Sequence, residues 1–191
     1  MSDTGLVEVT GIDGAGKSTV VAELARALGW SARKVQPFSP EVMARVDAAR
    51  TAFGERGADV ARSLALGSEL LRHADAGVPP AVYDRYVESA KMWWHVKDLY
   101  PLPDDVVARL PAPSLVLLLD VDPETALARR LTTTEVSSEA ETTFIEACTR
   151  YLRAAAVAHD WVVVDAARPL DEVVTVATAA VRAHLGSRSP R

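Results

Sequence analysis

Short apolar runs recur along the chain, separated by longer stretches in which apolar residues have helical spacing. Five of these runs predict strands: Leu6–Thr10, Arg33–Gln36, Ala81–Tyr83, Ser114–Asp120 and Trp161–Asp165. Several are apolar at consecutive positions, which is typical of strands covered on both sheet faces. Strands that alternate with helices indicate a parallel sheet wrapped by helices, an α/β fold.

Three helix starts are marked by a residue pair that ends in proline. These pairs are Ser39-Pro40, Asp122-Pro123 and Arg168-Pro169. Proline is favoured in the first helical turn because its fixed backbone angle suits the helix and its missing N–H is not needed there. We expect a helix to begin at or just after each pair.

Composition narrows the class of protein. With 191 residues, of which 49% are hydrophobic, we expect one domain over residues 1–186 and a disordered tail over 187–191. The net charge of −5 provides no basic field for nucleic acid or for a membrane surface, and no apolar run is long enough to span a bilayer. The start of the chain does not resemble a signal peptide, and the only cysteine is Cys148, so we expect a cytoplasmic protein without an internal disulfide.

A phosphate-binding motif follows the first predicted strand. Residues 11–18 read GIDGAGKS, which fits the G-x-x-x-x-G-K-[ST] pattern between a strand and a helix. Its glycines let successive backbone N–H groups converge on phosphate oxygens, Lys17 reaches the β- and γ-phosphates, and Ser18 ligates Mg²⁺. ATP and Mg²⁺ are therefore the expected cofactors. The loop residues predicted to bind them are Gly11, Asp13, Gly14, Ala15, Gly16, Lys17, Ser18 and Thr19.

The rest of the sequence favours a small-molecule kinase among the proteins that carry this loop. No [NT]KxD segment is present to recognise guanine, and no D-x-x-G follows the loop, and both observations argue against a switch GTPase. The fourth predicted strand ends in Asp120-Val121-Asp122 rather than in an Asp-Glu pair, and the chain is too short for a large ATPase.

A second cluster of charged residues ends the third predicted strand, where Asp84 and Arg85 are followed by Tyr86 and Ser89. Ligands collect at the carboxyl ends of parallel strands, so this cluster should share a crevice with Lys17. There Arg85 would clamp an acceptor phosphate, and Asp84 would help to hold Mg²⁺ or accept a proton. The alternative is an Asp-Arg pair that only caps the next helix.

With these two motifs the sequence resembles the thymidylate kinase family of nucleoside monophosphate kinases. The resemblance runs nearly end to end: VTGIDGAGKST (9–19), DRYVES (84–89), LLLDVDPETALARR (117–130), RYLRAA (150–155) and VVVDA (162–166). It implies a P-loop NTPase fold with three α/β/α layers and a five-stranded parallel sheet in the order 2-3-1-4-5. It also implies a short lid at about 131–143 and a homodimer.

The resemblance also assigns roles to single residues. Asp13 would lie near the sugar 3′-hydroxyl of the acceptor, Arg85 would bind its phosphate, and Arg62 would touch its base. Arg129 and Arg130, which flank the lid, are assigned to the donor nucleotide. The catalytic set is Asp13, Lys17, Asp84 and Arg85, the metal set is Ser18 and Asp84, and the acceptor set is Asp13, Arg62, Arg85, Tyr86, Ser89 and Trp93.

Departures from the family pattern fall around the acceptor. Ala58 stands where the family has an aromatic residue that stacks on thymine, and Val35-Gln36-Pro37 replaces Arg-Glu-Pro. After the DRY motif, Met92-Trp93-Trp94 replaces Ala-Tyr-Gln. We therefore predict an acceptor with a different or modified base.

The lid departs as well, because residues 131–143 contain no arginine or lysine and the loop has Ala15 where some members have arginine. Charge on the transferred phosphoryl group must be met by fixed cations. The candidates are the flanking Arg129, Arg130, Arg150 and Arg153.

We therefore predict an ATP- and Mg²⁺-dependent kinase that phosphorylates a nucleoside monophosphate. One alternative is a kinase whose acceptor is a hydroxyl of a nucleoside or another small molecule. A second alternative is a nucleotide-binding subunit that turns over weakly or not at all, which the uncharged lid favours.

Overall fold

A computed structural model of the chain describes residues 5–74, 80–131 and 139–187. The strands are β1 (Leu6–Thr10), β2 (Ser31–Lys34), β3 (Ala81–Asp84), β4 (Leu115–Asp120) and β5 (Val162–Asp165). The helices are α1 (Lys17–Leu28), α2 (Pro40–Ala74), α3 (Val87–Val96), α4 (Asp104–Val107), α5 (Pro123–Leu131), α6 (Glu139–Ala158) and α7 (Leu170–Ser187). All strand pairs are parallel, in the order β2-β3-β1-β4-β5, so the predicted α/β fold class and strand order are confirmed.

The second strand is the one that the apolar pattern misplaced. It occupies Ser31–Lys34, so it begins and ends two residues earlier than the predicted segment. It pairs with β3 from Ser31 opposite Ala81 to Lys34 opposite Asp84. The reason is that β2 lies at the sheet edge with mostly exposed side chains, so its backbone pairing leaves no apolar signature. Val35, which lies inside the predicted segment, is buried and is the first residue beyond the strand.

The sheet separates two layers of helices. Helices α1 and α7 pack against each other on one face, and α3 and α6 pack against each other on the other. Alternate residues of β1 point to opposite faces of the sheet. Val7 and Val9 belong to one apolar cluster, and Leu6 belongs to the other. Helices begin at Pro40 and Pro123 and directly after Pro169, as the sequence predicts.

The described ranges include a break in α2, both ends of the predicted lid and the first residue of the predicted tail. Helix α2 is broken at Gly54, whose φ of 71° and ψ of −168° are not helical. Of the predicted lid, Leu131 ends α5 and residues 139–143 begin α6, while 132–138 lie outside the described residues. Ser187 belongs to α7, and the rest of the predicted tail lies outside the described residues. No helix in the described ranges is long and apolar enough to cross a bilayer.

Candidate functional site

The loop between β1 and α1 is shaped by glycines. Gly14 has a φ of 92°, and a Cβ built there would lie 2.2 Å from the carbonyl oxygen of Ala126 in α5, so no other residue fits. Gly16, with a φ of 84°, occupies the N-cap of α1. The left-handed conformation of these residues turns the backbone so that the positive end of α1 faces the cleft.

Lys17 is the buried cation of this loop, with 7% of its side chain exposed. Its Nζ donates a 2.7 Å hydrogen bond to the carbonyl oxygen of Ile12 and lies 3.6 Å from Oδ1 of Asp13. Burial, together with the nearby positive charge of Arg85, lowers the pKa of Lys17 to about 7. A phosphate beside this ammonium would reverse that shift.

Ser18 and Asp84 meet across the cleft, where the Ser18 hydroxyl donates a 2.5 Å hydrogen bond to Oδ2 of Asp84. The other oxygen of Asp84, Oδ1, is buried and has no hydrogen-bond partner in the described part of the chain. A hydroxyl and a carboxylate are ligands that Mg²⁺ prefers. The described residues contain no cluster of three or more metal-binding side chains, so nucleotide and water would complete the coordination of a bound ion.

Arg85 follows β3 in an unusual backbone conformation, with a φ of 68° that only a few per cent of non-glycine residues adopt. Its Nη2 donates a 2.5 Å hydrogen bond to Oδ1 of Asp13, and its guanidinium lies 5.0 Å from the ring centre of Trp93. Its Nη1 is buried and has no partner among the described residues. Against the opposing effect of partial burial, Arg85 and Lys17 lower the pKa of Asp13 to about 2. Arg85 is thus fixed on two sides and leaves one N–H group for an anion.

Glu8 of β1, which we did not predict, holds the turn after Arg85 in place. Its fully buried carboxylate accepts hydrogen bonds from the backbone N–H groups of Tyr86, Glu88 and Ser89 and from the Ser89 hydroxyl. Burial raises the pKa of Glu8, and the backbone bonds oppose that rise. The carboxylate therefore satisfies the N–H groups that the first turn of α3 leaves without partners. The sequence signal for this role was a single glutamate within the otherwise apolar start of the run LVEVT.

Two residues assigned to the acceptor lie behind the cleft and do not line it. The Ser89 side chain is fully buried between Glu8 and Thr10, whose hydroxyl lies 2.9 Å from Oγ. Tyr86 is 1% exposed, and its ring packs on Tyr83 with centroids 4.9 Å apart. Both residues lie at the start of α3 and are buried, and neither lines the cleft.

Aromatic side chains form the opposite wall of the cleft. The rings of Phe38 and Trp93 meet edge to face at 5.4 Å, and both residues line the cleft. The next residue, Trp94, is 7% exposed and belongs to the apolar core. Phe38 was not predicted, because it lies in an irregular segment after β2 that has no periodicity.

These parts surround one cleft of about 620 Å³. It is lined by Asp13, Gly14, Gly16, Lys17, Ser18, Thr19, Lys34, Val35, Gln36, Pro37, Phe38, Asp84, Arg85, Trp93 and Arg129. A smaller pocket of about 220 Å³ lies between the loop and the β5–α7 turn. Arg129 lines both spaces, and its Nη1 donates a 2.9 Å hydrogen bond to the carbonyl oxygen of Ala166.

Three of the other predicted cations, Arg62, Arg130 and Arg153, have acidic partners. Arg130 pairs with Glu141 at the start of α6, and Arg130 also contributes to the low pKa of Asp13. Arg62 pairs with Asp59 at 2.8 Å and lies outside the cleft lining.

Arg153 pairs with two carboxylates at the end of β4, Asp120 at 2.9 Å and Asp122 at 3.3 Å. Arg150 is exposed. Of the four flanking arginines, Arg129 alone lines the cleft as the described residues form it.

Comparison with known proteins identifies the family. The family model for thymidylate kinase matches residues 80–176, just over half of the chain. This chain belongs to the thymidylate kinase family. As a member it is a nucleotide kinase, a phosphotransferase for which ATP is the implied phosphate donor.

Relatives within the thymidylate kinase family extend the match over the whole chain. A probable thymidylate kinase of Pyrobaculum calidifontis is 25% identical, and the match covers 95% of this chain and 97% of that protein. A thymidylate kinase of Desulforapulum autotrophicum is 26% identical, with 94% and 92% covered.

Solved structures support the fold. Deoxyadenosine kinase from M. mycoides with bound dATP superposes with a TM-score of 0.63 at 18% identity, covering 93% of this chain and 99% of that chain. The same enzyme with bound dCTP gives a TM-score of 0.65 at 17% identity with the same coverage. At this identity the likeness concerns the P-loop NTPase fold and carries no information about the acceptor.

Proposed function

We propose that the protein transfers the γ-phosphate of ATP to a nucleoside or deoxynucleoside monophosphate in the presence of Mg²⁺. The observation that carries this proposal is that Lys17 and Arg85 line one cleft, and that buried Nη1 of Arg85 has no partner among the described residues. A donor phosphate at Lys17 and an acceptor phosphate at Arg85 would share that cleft. Catalysis then consists of alignment and charge neutralisation.

The donor side would hold the nucleotide mainly through backbone. The N–H groups of the loop would bind the phosphates, and the small pocket beside Arg129 would take the adenine. Ser18 and Asp84 would hold the metal, whose role is to neutralise charge on the phosphates. Arg130 lies near Asp13, and we propose that it assists at the same phosphates.

The acceptor side would recognise its ligand through side chains. Arg85 would bind the phosphate, Asp13 would lie near the sugar hydroxyl, and the Trp93 ring would contact the base. Ala58 is fully buried and provides no stacking surface, so the aromatic contact has moved from α2 to the wall of Phe38 and Trp93. This change supports a base other than unmodified thymine.

A second candidate is transfer to a hydroxyl group of a nucleoside. It is favoured by Val35, which is buried at the position where the family has arginine, so that one acceptor-side cation is missing. Asp13 and Arg85 are both retained and are in contact, which favours a monophosphate as the acceptor.

A phosphoryl-transfer screen read by mass spectrometry tests these alternatives. Purified protein is incubated with ATP and Mg²⁺ against natural and modified nucleoside monophosphates and the corresponding nucleosides, with Lys17→Met as the inactive control. We expect a nucleoside diphosphate product. A monophosphate product made from a nucleoside would instead support the second candidate. ATP binding without any product would contradict both and favour a nucleotide-binding subunit.

We also propose that the protein is a homodimer in the cytoplasm. The sequence basis for the compartment is the single cysteine, which is buried. The basis for the dimer is a set of exposed apolar residues on the part of α2 after its break at Gly54, namely Val60, Leu64 and Leu71. Light scattering after gel filtration should give twice the chain mass for the wild type and the monomer mass for Leu64→Glu. A monomeric wild type would contradict the dimer.

A further inference from the structure

Lys34, the last residue of β2, was not among the predicted site residues, yet its ammonium lies beside the Ser18–Asp84 pair. Its Nζ is 3.7 Å from Oδ2 of Asp84 and 3.5 Å from Oγ of Ser18. The position follows from strand register, since Lys34 is the pairing partner of Asp84. About half of the side chain is exposed (52%), so it lies at the mouth of the cleft.

The two oxygens that attract Lys34 are those that would face Mg²⁺. A dication held by Ser18 and Asp84 would repel an ammonium within 4 Å of the same oxygens, and one carboxylate cannot neutralise both charges. The ion pair between Lys34 and Asp84 therefore competes with Mg²⁺ for the same carboxylate oxygen.

A displaced Lys34 would lie near the proposed acceptor phosphate, because Lys34 and Arg85 line the same cleft. Arg85, which would hold the acceptor phosphate, directly follows Asp84, and lysine carries its charge on a flexible four-carbon stem. The neighbouring Val35 is buried and leaves this end of the cleft without the arginine typical of the family. An acceptor phosphate would thus attract the ammonium that the metal repels.

We propose that Lys34 binds the acceptor phosphate and is released from Asp84 when the magnesium-bound nucleotide binds, so that the two substrates bind cooperatively. This inference rests on the proposed function, because it uses the metal site at Ser18 and Asp84 and the acceptor site at Arg85. Thermodynamic linkage requires each substrate to raise the affinity for the other by the same factor.

Isothermal titration calorimetry can measure the affinities for the acceptor and for ADP separately, without any turnover. The probes are ADP with Mg²⁺, ADP with EDTA, and whichever of the five common deoxynucleoside monophosphates the wild type binds most tightly. The variant is Lys34→Met, which keeps the stem length and removes the charge. The control is Arg45→Met, which removes an exposed positive charge from the groove that adjoins Lys34.

For the wild type we expect Mg²⁺ and ADP together to raise acceptor affinity by roughly five- to tenfold, and ADP with EDTA to leave it unchanged. In Lys34→Met we expect opposite changes: acceptor binding about tenfold weaker, magnesium-bound ADP about threefold tighter, and no cooperativity. Arg45→Met should behave as the wild type. Affinities that both fall in Lys34→Met, or that do not change, would overturn the inference while leaving the kinase intact. A wild type that binds neither nucleotide would overturn both the proposed function and the inference.

Discussion

The two halves of the cleft differ in the part of the chain that forms them. The phosphate-binding loop is one continuous segment, and its backbone N–H groups and the start of α1 would form the proposed anion site. The proposed acceptor wall is assembled from Lys34 at the end of β2, Phe38 beyond it, Arg85 after β3 and Trp93 in α3. A backbone site tolerates change outside its motif, whereas a wall of side chains changes with each substitution. The G-x-x-x-x-G-K-[ST] motif of the loop therefore keeps the family pattern, whereas the departures fall in the acceptor wall and in the predicted lid.

The largest effect is expected from Lys17→Met, which removes the buried cation of the donor half. We expect kcat/KM to fall about 10³-fold, because charge on the transferred group loses a fixed cation in a site with little water. Steady-state kinetics with ATP varied measures the loss, and circular dichroism checks that the fold is kept. Turnover within about tenfold of the wild type would show that the loop does not bind the transferred phosphate.

The next largest effect is expected from Arg85→Ala, which removes the cation proposed to bind the acceptor phosphate. Since Arg85 also pairs with Asp13, we expect kcat/KM for the acceptor to fall about 10²- to 10³-fold, with ADP affinity changed much less. Kinetics with the acceptor varied, beside calorimetry of ADP binding, distinguishes the two halves. Equal losses on both sides would mean that Arg85 does not belong to the acceptor half alone.

The neighbouring residues Trp93 and Trp94 form a matched pair for the acceptor wall. Trp94 is buried in the core, so Trp94→Ala should lower the free energy of unfolding by about 3–5 kcal/mol. Trp93 lines the cleft, so Trp93→Ala should instead raise the KM for the acceptor about tenfold, with a smaller loss of stability. Urea unfolding and acceptor kinetics measure the two effects. A larger stability loss in Trp93→Ala than in Trp94→Ala would contradict this arrangement.

The last prediction concerns the effect of pH on nucleotide binding at Lys17. Because the pKa of Lys17 is about 7 and a bound phosphate raises it, binding requires a proton that the protein loses as the pH rises above 7. ADP affinity in the presence of Mg²⁺ should therefore fall by up to about tenfold per pH unit between pH 7 and 9, and Lys17 should impose little slope below pH 7. Calorimetry over this range should show the slope in the wild type and its loss in Lys17→Met. A flat profile in the wild type would contradict the shifted pKa.

Local sequence was sufficient for those features whose physical cause is local. Glycines that allow left-handed backbone, prolines in first turns and apolar strands buried on both faces all act within a few residues. For this reason the loop, the helix starts and the four strands other than β2 could be predicted within one residue. The bounds of β2 could not be predicted in this way. Its pairing with β3 is a backbone interaction, and its mostly exposed side chains show no apolar pattern.

What the sequence by itself determined is the anion-binding loop, the α/β fold and the family resemblance, since each depends on short motifs and their spacing. Only the tertiary structure decided which charged and aromatic side chains share the cleft. It brought Lys34 to Asp84 through strand register, and it turned Ser89 towards buried Glu8 and away from the ligand space. The physical reason is that hydrogen bonds and ion pairs act between atoms a few ångströms apart, and parallel strand pairing makes neighbours of residues that lie 50 or more positions apart in the chain.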